Sequence, residues 1–375
     1  MIWNWQQEDW PNFKYDKSVL EESENNFLKN SGILIGAFKH LSENNKKKLT
    51  IEIIGNEALK TSEIEGEYLN RNSIQSSIRR QFGLQTDNHA ITPAEQGITE
   101  LMMNLYESFD KPLDDEQLFS WHRMITKGRN DLKDVGRYRT HNEPVQVISG
   151  AFHRPNIHFE APPSKDMKKE MKYFIKWFND TAPEGKDKLP ILTRAAIAHL
   201  YFVSIHPFED GNGRIARAIS EKALAQNIGK PTLIALSHVI AKQKKIYYDE
   251  LERANKHNEI TAWILYFAQT VLEAQSYTQI QIEFMINKTK FYDRFKDKFN
   301  DRQSKVIKRI FQEGSQGFQG GLSAENYLSI TKTTRTTATR DLHDLVEKGA
   351  LTRRGERKHT RYYLNVKSLN FSQIR

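Results

Sequence analysis

Apolar residues recur at helical spacing over most of the chain. From Val19 to His40 the apolar positions Leu20, Phe27, Leu28, Leu34, Ile35 and Phe38 predict one long helix. Further helical patterns run from Leu49 to Leu59, from Glu67 to Arg80 and from Glu95 to Phe109, with Gly83, Asp87-Asn88 and Pro93 breaking the stretch 83–93. One segment changes period. The β-branched run Val145-Gln146-Val147-Ile148 is followed by Ser149-Gly150, then by His153-Arg154-Pro155 and the alternating Ile157-His158-Phe159, which predicts a hairpin. Pro190 to Ile205 is a strongly apolar helix, and another helix opens at Asn212. After Asp301 the order is helix (Arg302–Gln312), short helix (Ser323–Leu328) and helix (Thr334–Lys348). Ala350-Leu351-Thr352 and Tyr362-Tyr363-Leu364 then flank a basic turn. That order predicts a winged helix-turn-helix. The fold class is mostly α, drawn in three parts: 1–112, 113–290 and 291–375.

Composition narrows the class. Charged residues make up 27% of the 375 and hydrophobic ones 38%, the balance of a folded globular chain rather than a disordered one. No apolar run reaches the roughly 18 residues a membrane span needs. Met1-Ile2-Trp3-Asn4-Trp5 has no basic segment leading into an apolar one, so no signal peptide is expected and the cytoplasm is the expected compartment. The absence of cysteine excludes disulfides, thiolate metal sites and a cysteine nucleophile. Of the net charge of +9, residues 301–375 hold +8, with fifteen Lys and Arg against seven Asp and Glu. A basic region of this kind points either to a polyanion, here DNA through residues 302–364, or to a protein-contact or dimer module, as many winged helices are. Lys332, Arg335 and Arg340 would lie near the first half of a recognition helix, and Arg353 to Lys358 would form the wing.

The chemistry concentrates in His206-Pro207-Phe208-Glu209-Asp210-Gly211-Asn212-Gly213-Arg214-Ile215-Ala216-Arg217. A histidine and a carboxylate precede a Gly-Asn-Gly turn, and a helix with two arginines follows. A helix N-terminus offers unpaired N–H groups to anions, and glycines let the backbone approach a phosphate. Arg214 and Arg217, three residues apart, share a helical face and suit phosphate oxygens. Asp210 could hold Mg2+ against the same phosphates, and His206 could take a proton from an attacking hydroxyl. No P-loop pattern and no convincing Gly-x-Gly-x-x-Gly after a strand is present.

This segment resembles the Fic family motif, His-Pro-Phe-x-Asp/Glu-Gly-Asn-Gly-Arg-x-x-Arg, at every defined position. The resemblance implies a helical core with a hairpin flap and transfer of AMP from ATP to Ser, Thr or Tyr hydroxyls of target proteins, the enzyme itself included. His206 would be the general base and Asp210 the Mg2+ ligand. Gly211, Asn212 and Gly213 would form the anion hole, and Arg214 and Arg217 would hold the β- and γ-phosphates. The hairpin 145–159 falls where the family has the flap that docks a target segment, and Tyr247 and Tyr248 fall where it contacts adenine or ribose. Thr61-Ser62-Glu63-Ile64-Glu65-Gly66 matches the family's inhibitory pattern, Ser/Thr-x-x-x-Glu-Gly/Asn. Thr61, Glu65 and Gly66 would then form a brake in which Glu65 pairs with Arg217 and sits where the γ-phosphate belongs. The N-terminal part is similar to a domain often fused to Fic cores, and the resemblance implies a homodimer. Three alternatives stay open: phosphate or other nucleotide transfer, AMP removal by the same site, and a DNA-binding regulator that uses the core as a nucleotide sensor.

Overall fold

A computed structural model describes residues 2–85, 90–151, 154–314, 317–318 and 320–366. Four helices come first: α1 (Glu21–Lys39), α2 (Glu43–Ile64), α3 (Arg71–Gln81) and α4 (Pro93–Ser108). Then come α5 (Asp115–Ile125), the antiparallel strands β1 (Gln146–Ala151) and β2 (Arg154–Glu160), α6 (Met167–Asp180), α7 (Ile191–Ile205) and α8 (Asn212–Ile228). The rest is α9 (Leu236–Lys242), α10 (Lys244–Ala254), α11 (Thr261–Arg294), α12 (Asp301–Gln312), α13 (Ala324–Thr331), α14 (Arg335–Glu347) and the strands β3 (Leu351–Arg354) and β4 (Arg361–Leu364). The fold is mostly helical, as the periodicity predicts. Asp87-Asn88 and His153 lie outside the described residues.

Packing divides the chain into two compact units, residues 1–35 with 46–278 and residues 36–45 with 279–375. Where sequence breaks suggest a boundary near residue 112, apolar packing runs through. Phe27, Ile54, Ile78 and Leu101 share one core with Leu118, Leu200, Ile219 and Phe267. At its centre lies α7, buried at every residue because Ile191-Leu192-Thr193-Arg194-Ala195-Ala196-Ile197-Ala198-His199-Leu200-Tyr201-Phe202-Val203-Ser204-Ile205 has no polar face. Its first N–H groups are capped from the N-terminal segment, since Glu24 accepts from Leu192 N at 3.1 Å and Thr193 N at 2.9 Å.

Two helix bounds differ from the periodic pattern, each for a local reason. α2 runs on past Leu59 to Ile64 and is stopped by Gly66 at φ 85°. α3 starts at Arg71 rather than Glu67, because the Asn70 side chain caps it by accepting from Asn72 N and Ser73 N. Pro93 sits at the start of α4, and Thr92 and Glu95 close a reciprocal capping box there.

The hairpin pairs Gln146 with Glu160 and Ser149 with Asn156, with an irregularity between Val147 and Ile148. Its base is anchored by the N-terminal segment. Trp5 Nε1 donates to Glu160 O at 2.7 Å, and the Trp3 ring meets Phe159 edge-on at 5.5 Å.

The second unit has its own core of Val306, Ile307, Tyr327, Leu342, Leu345 and Leu351. Strands β3 and β4 form a two-stranded sheet, and Leu322 bridges to Tyr362 beside it. Tyr327 is fully buried, and its hydroxyl donates to Asp341 Oδ2 at 2.9 Å. Replacing Tyr327 with Phe removes one hydrogen bond from the Asp341 carboxylate, whose Oδ2 keeps Arg302 Nε at 2.7 Å. It should cost this unit about 1–3 kcal/mol, read as a lower denaturation midpoint.

Candidate active site

His206 closes α7 in the left-handed conformation, φ 52° and ψ 58°. A non-glycine residue held there stores roughly 1–3 kcal/mol, which the surroundings must over-determine. They do so through Arg139. This buried guanidinium donates from Nε to His206 O at 2.8 Å and from its Nη atoms to Ser164 Oγ at 2.7 Å and Pro162 O at 2.5 Å. The Arg139 N–H adds a bond to Pro207 O at 3.0 Å. The His206 ring places Nδ1 at 3.3 Å from Val203 O. A carbonyl only accepts, so Nδ1 carries the proton and Nε2 keeps its lone pair. Burial pushes the His206 pKa down to about 4, so the ring is neutral at neutral pH.

The loop that follows is pinned by Asn212, whose Oδ1 accepts from Phe208 N at 3.0 Å and whose Nδ2 donates to Phe208 O at 2.8 Å. Gly211, at φ 81°, starts α8, and a Cβ there would collide with Ile125. Glu209 caps the neighbouring loop by accepting from Lys133 N at 2.8 Å and Asp134 N at 3.0 Å. Beneath the loop, His122 stacks on Phe208 with ring centroids 4.2 Å apart and accepts from Gly136 N at 2.9 Å. The sequence pattern singles out neither Arg139 nor His122, and it gives Glu209 only as the variable position of the motif.

Arg214 and Arg217 are buried, and the segment 61–67 engages both. Arg217 donates from Nε to Thr61 Oγ1 at 2.7 Å, and from Nη2 to Thr61 O at 2.9 Å and Glu65 Oε1 at 2.7 Å. Arg214 Nη1 donates to Glu67 Oε2 at 2.9 Å. Glu67 is a partner the sequence reading missed, although it stands two residues after Glu65. Burial, the largest single influence, opposes the charge on Arg217, but Glu65 together with Tyr247 and Tyr248 outweighs it and raises the guanidinium above its ordinary value. Arg217 Nη1 and Arg214 Nε are buried without a hydrogen-bond partner. Two orphaned cationic donors beside a helix N-terminus are groups that an anion would satisfy. A Cβ at Gly213 would meet Glu65 Oε1, so a side chain there would push the carboxylate aside.

Asp210 accepts from Gly211 N at 2.6 Å, and its Oδ2 meets Arg129 Nη1 at 2.5 Å. Burial works against its charge, but Arg214, the Gly211 N–H and Arg129 outweigh burial and hold the carboxyl below its ordinary value. Among the described residues no group of three or more His, Asp or Glu could hold a metal ion. One ionised carboxylate suits a cation such as Mg2+ that takes its other ligands from phosphate and water. Arg129 is already paired with Asp131 at 2.8 and 2.7 Å, so it keeps a partner if it releases Asp210.

Tyr247 and Tyr248 lie on α10 and line the pocket, with different hydroxyl environments. Tyr247 is buried, with its hydroxyl 2.8 Å from His199 Nε2. Tyr248 reaches Ile64 O at 3.4 Å and Glu65 Oε2 at 3.5 Å. The pocket measures about 680 Å³. Its walls bring together Glu65, His206, Asp210–Gly213, the two tyrosines and the hairpin residues Val147–Ser149 and His158–Phe159. That volume falls in the range of a nucleotide-sized ligand site.

Residues 112–224 match the Fic/DOC family. That stretch is similar to Fic/DOC domains. Residues 3–84 match a domain of unknown function, DUF4172. The chain is 31% identical over 155 residues to "Protein adenylyltransferase Fic" of Nematostella vectensis, which covers 41% of this chain and 31% of that protein. It is 30% identical over 141 residues to "Protein adenylyltransferase fic-1" of Caenorhabditis elegans, covering 37% of this chain and 24% of that protein. The chain therefore spans under a third of the length of these curated relatives. A Fic family protein from Desulfovibrio desulfuricans shares the fold over 96% of this chain and 99% of that one, with TM-score 0.53 and 21% identity. Fic-1 from Caenorhabditis elegans shares it over 70% of this chain and 73% of that one, with TM-score 0.50 and 21% identity. No helix among the described residues is long and apolar enough to cross a membrane.

The site's histidines carry a pH prediction. Burial lowers the pKa of His199 to about 3 and those of His122 and His206 to about 4, against 6.5 unfolded. Below 6.5 the unfolded chain binds protons that the folded chain refuses, so stability falls with pH. The melting temperature should drop steadily from pH 6.5 toward pH 4, by roughly several degrees per pH unit.

Proposed function

We propose that the chain is a protein adenylyltransferase that moves AMP from ATP to a hydroxyl side chain and is restrained by Glu65. One observation carries this reading: Arg217, buried in the second turn of α8, donates from Nη2 to Glu65 Oε1 at 2.7 Å, and Glu65 lines the pocket that also holds His206. A buried arginine with a spare donor is a phosphate site, and a carboxylate held there imitates the phosphate charge.

In the released enzyme the first N–H groups of α8 and the arginines Arg214 and Arg217 bind the phosphates. Mg2+, held by Asp210, would neutralise charge on the phosphates. A target segment pairs along the flap, residues 145–159, by backbone hydrogen bonds. His206 Nε2 takes the proton of the incoming hydroxyl, whose oxygen attacks the α-phosphorus. The bond to the β-phosphate oxygen breaks and pyrophosphate leaves. Positioning and charge neutralisation supply most of the barrier reduction. Tyr247 and Tyr248 wall the adenosine side. Transfer falls off as pH drops through the depressed His206 value, not through 6.5. The reading is tested by incubating the Glu65→Gly protein with ATP and Mg2+. Release of pyrophosphate matched by a gain of one AMP on protein supports it, and ATP turnover with no adduct overturns it.

A second reading concerns residues 302–364, whose element order suits a winged helix. Lys332, Arg335, Arg340, Arg353, Arg354 and Arg357 are all exposed, which favours a polyanion partner such as DNA. Electrophoretic shift of duplex DNA that weakens steeply with salt supports this, and no shift at low salt overturns it.

A further inference from the structure

We propose that Ser149 is itself an acceptor of the transferred AMP, activated by a Ser149–His158–Glu252 relay on the wall of the nucleotide pocket. The proposal rests on the adenylyltransferase reading and names one hydroxyl that such an enzyme would modify.

Ser149 lies on β1 and His158 on β2. Ser149 Oγ is 2.6 Å from His158 Nε2, and His158 Nδ1 is 2.7 Å from Glu252 Oε2 on α10. The proton positions follow from what each group can do. An ionised carboxylate only accepts, so Nδ1 carries a hydrogen, and in the neutral ring Nε2 then holds a lone pair. The Ser149 hydroxyl therefore donates to Nε2, with its proton already aimed at a base. Glu252 is ionised, because the bonds from His158 and from Lys256 Nζ, 3.0 Å from its Oε1, hold its carboxyl below the ordinary value. A nucleophile bonded to a base, with the base oriented by a third group, is the general arrangement for activating a hydroxyl.

Location turns this arrangement into a site. Ser149, His158 and Glu252 line the same pocket as His206, Asp210 and Gly211–Gly213. Ser149 is exposed, so its oxygen is accessible. A serine that only stapled two strands would need neither the carboxylate behind the histidine nor a place on the nucleotide pocket.

The step balances with ATP alone. Ser149 Oγ attacks the α-phosphorus and passes its proton to His158 Nε2. The bond from the α-phosphorus to the bridging oxygen breaks, and pyrophosphate leaves with the electron pair. The products are a phosphodiester of Ser149 with AMP and an imidazolium beside Glu252, which then loses its proton to water.

The test uses the full chain carrying Glu65→Gly, incubated with ATP and Mg2+ and mapped by peptide mass spectrometry. The expected result is one AMP on Ser149, absent in Ser149→Ala and retained in Ser149→Thr. His158→Ala and Glu252→Gln should each slow labelling at residue 149 roughly tenfold or more, with the melting temperature reporting that each variant is folded. AMP on other residues with Ser149 bare, or labelling of Ser149 unaffected by His158→Ala and Glu252→Gln, overturns this proposal and leaves adenylyl transfer standing. No pyrophosphate and no AMP on any residue overturns both.

Discussion

Glu65→Gly should raise the rate of AMP transfer roughly 10–100-fold, because a hydrogen bond to a charged group is worth about 1.5–3 kcal/mol and each 1.4 is a factor of ten. Under the proposed brake, the nucleotide must displace the Glu65 carboxylate, which accepts from Arg217 Nη2 at 2.7 Å, before a γ-phosphate can enter. The substitution also has a thermodynamic signature. Without Glu65 the Arg217 guanidinium stays fully buried and keeps only its Thr61 contacts, an uncompensated charge that costs about 3–5 kcal/mol. The apo variant should therefore melt below wild type. ATP returns negative charge to the same place, so saturating ATP should raise the variant's melting temperature more than the wild type's. Equal ATP-induced shifts would contradict the idea that Glu65 and a phosphate compete for one guanidinium. Glu67→Gln removes a charge from Arg214 and leaves Glu65 in place, so it should activate far less.

His206→Ala, introduced into the Glu65→Gly protein, should lower transfer to acceptors other than Ser149 by roughly 10²–10⁴-fold while nucleotide affinity changes little. That range is the usual contribution of a positioned general base. The two effects separate because the nucleotide's groups and the base belong to different elements. In the proposed reaction the phosphate donors would be the α8 N-terminus, Arg214 and Arg217, whereas His206 ends α7, with its ring Nδ1 3.3 Å from Val203 O. A loss confined to ATP binding would mean that His206 shapes the pocket rather than taking the proton.

The site's core was legible because it is local. His206 to Arg217 spans twelve residues, and glycine, histidine and arginine reveal their chemistry through conformation and charge alone. Long helices were legible for the same reason, since periodicity is a short-range signal. What the sequence hid is long-range. Arg139 lies 67 residues from the carbonyl it holds, Glu252 lies 94 from His158, and Arg129 lies 81 from Asp210. An arginine that will be buried against carbonyls looks, in sequence, like one on a solvated face. The shared core had the same character. Pro93, Gly83 and Lys111-Pro112 break helices, yet apolar faces on both sides of them pack into one core. Helix starts were misplaced where a side-chain cap overrode periodicity, as Asn70 does for α3.

The most direct measurement is the fate of label from doubly prepared ATP on the Glu65→Gly protein, with the α-phosphate marked in one reaction and the γ-phosphate in the other. Label on protein from the α-position, with γ-label leaving as pyrophosphate and wild type markedly slower, is the result predicted here. Label on protein from the γ-position, or equal α-labelling of wild type and variant, would contradict AMP transfer or the Glu65 brake respectively.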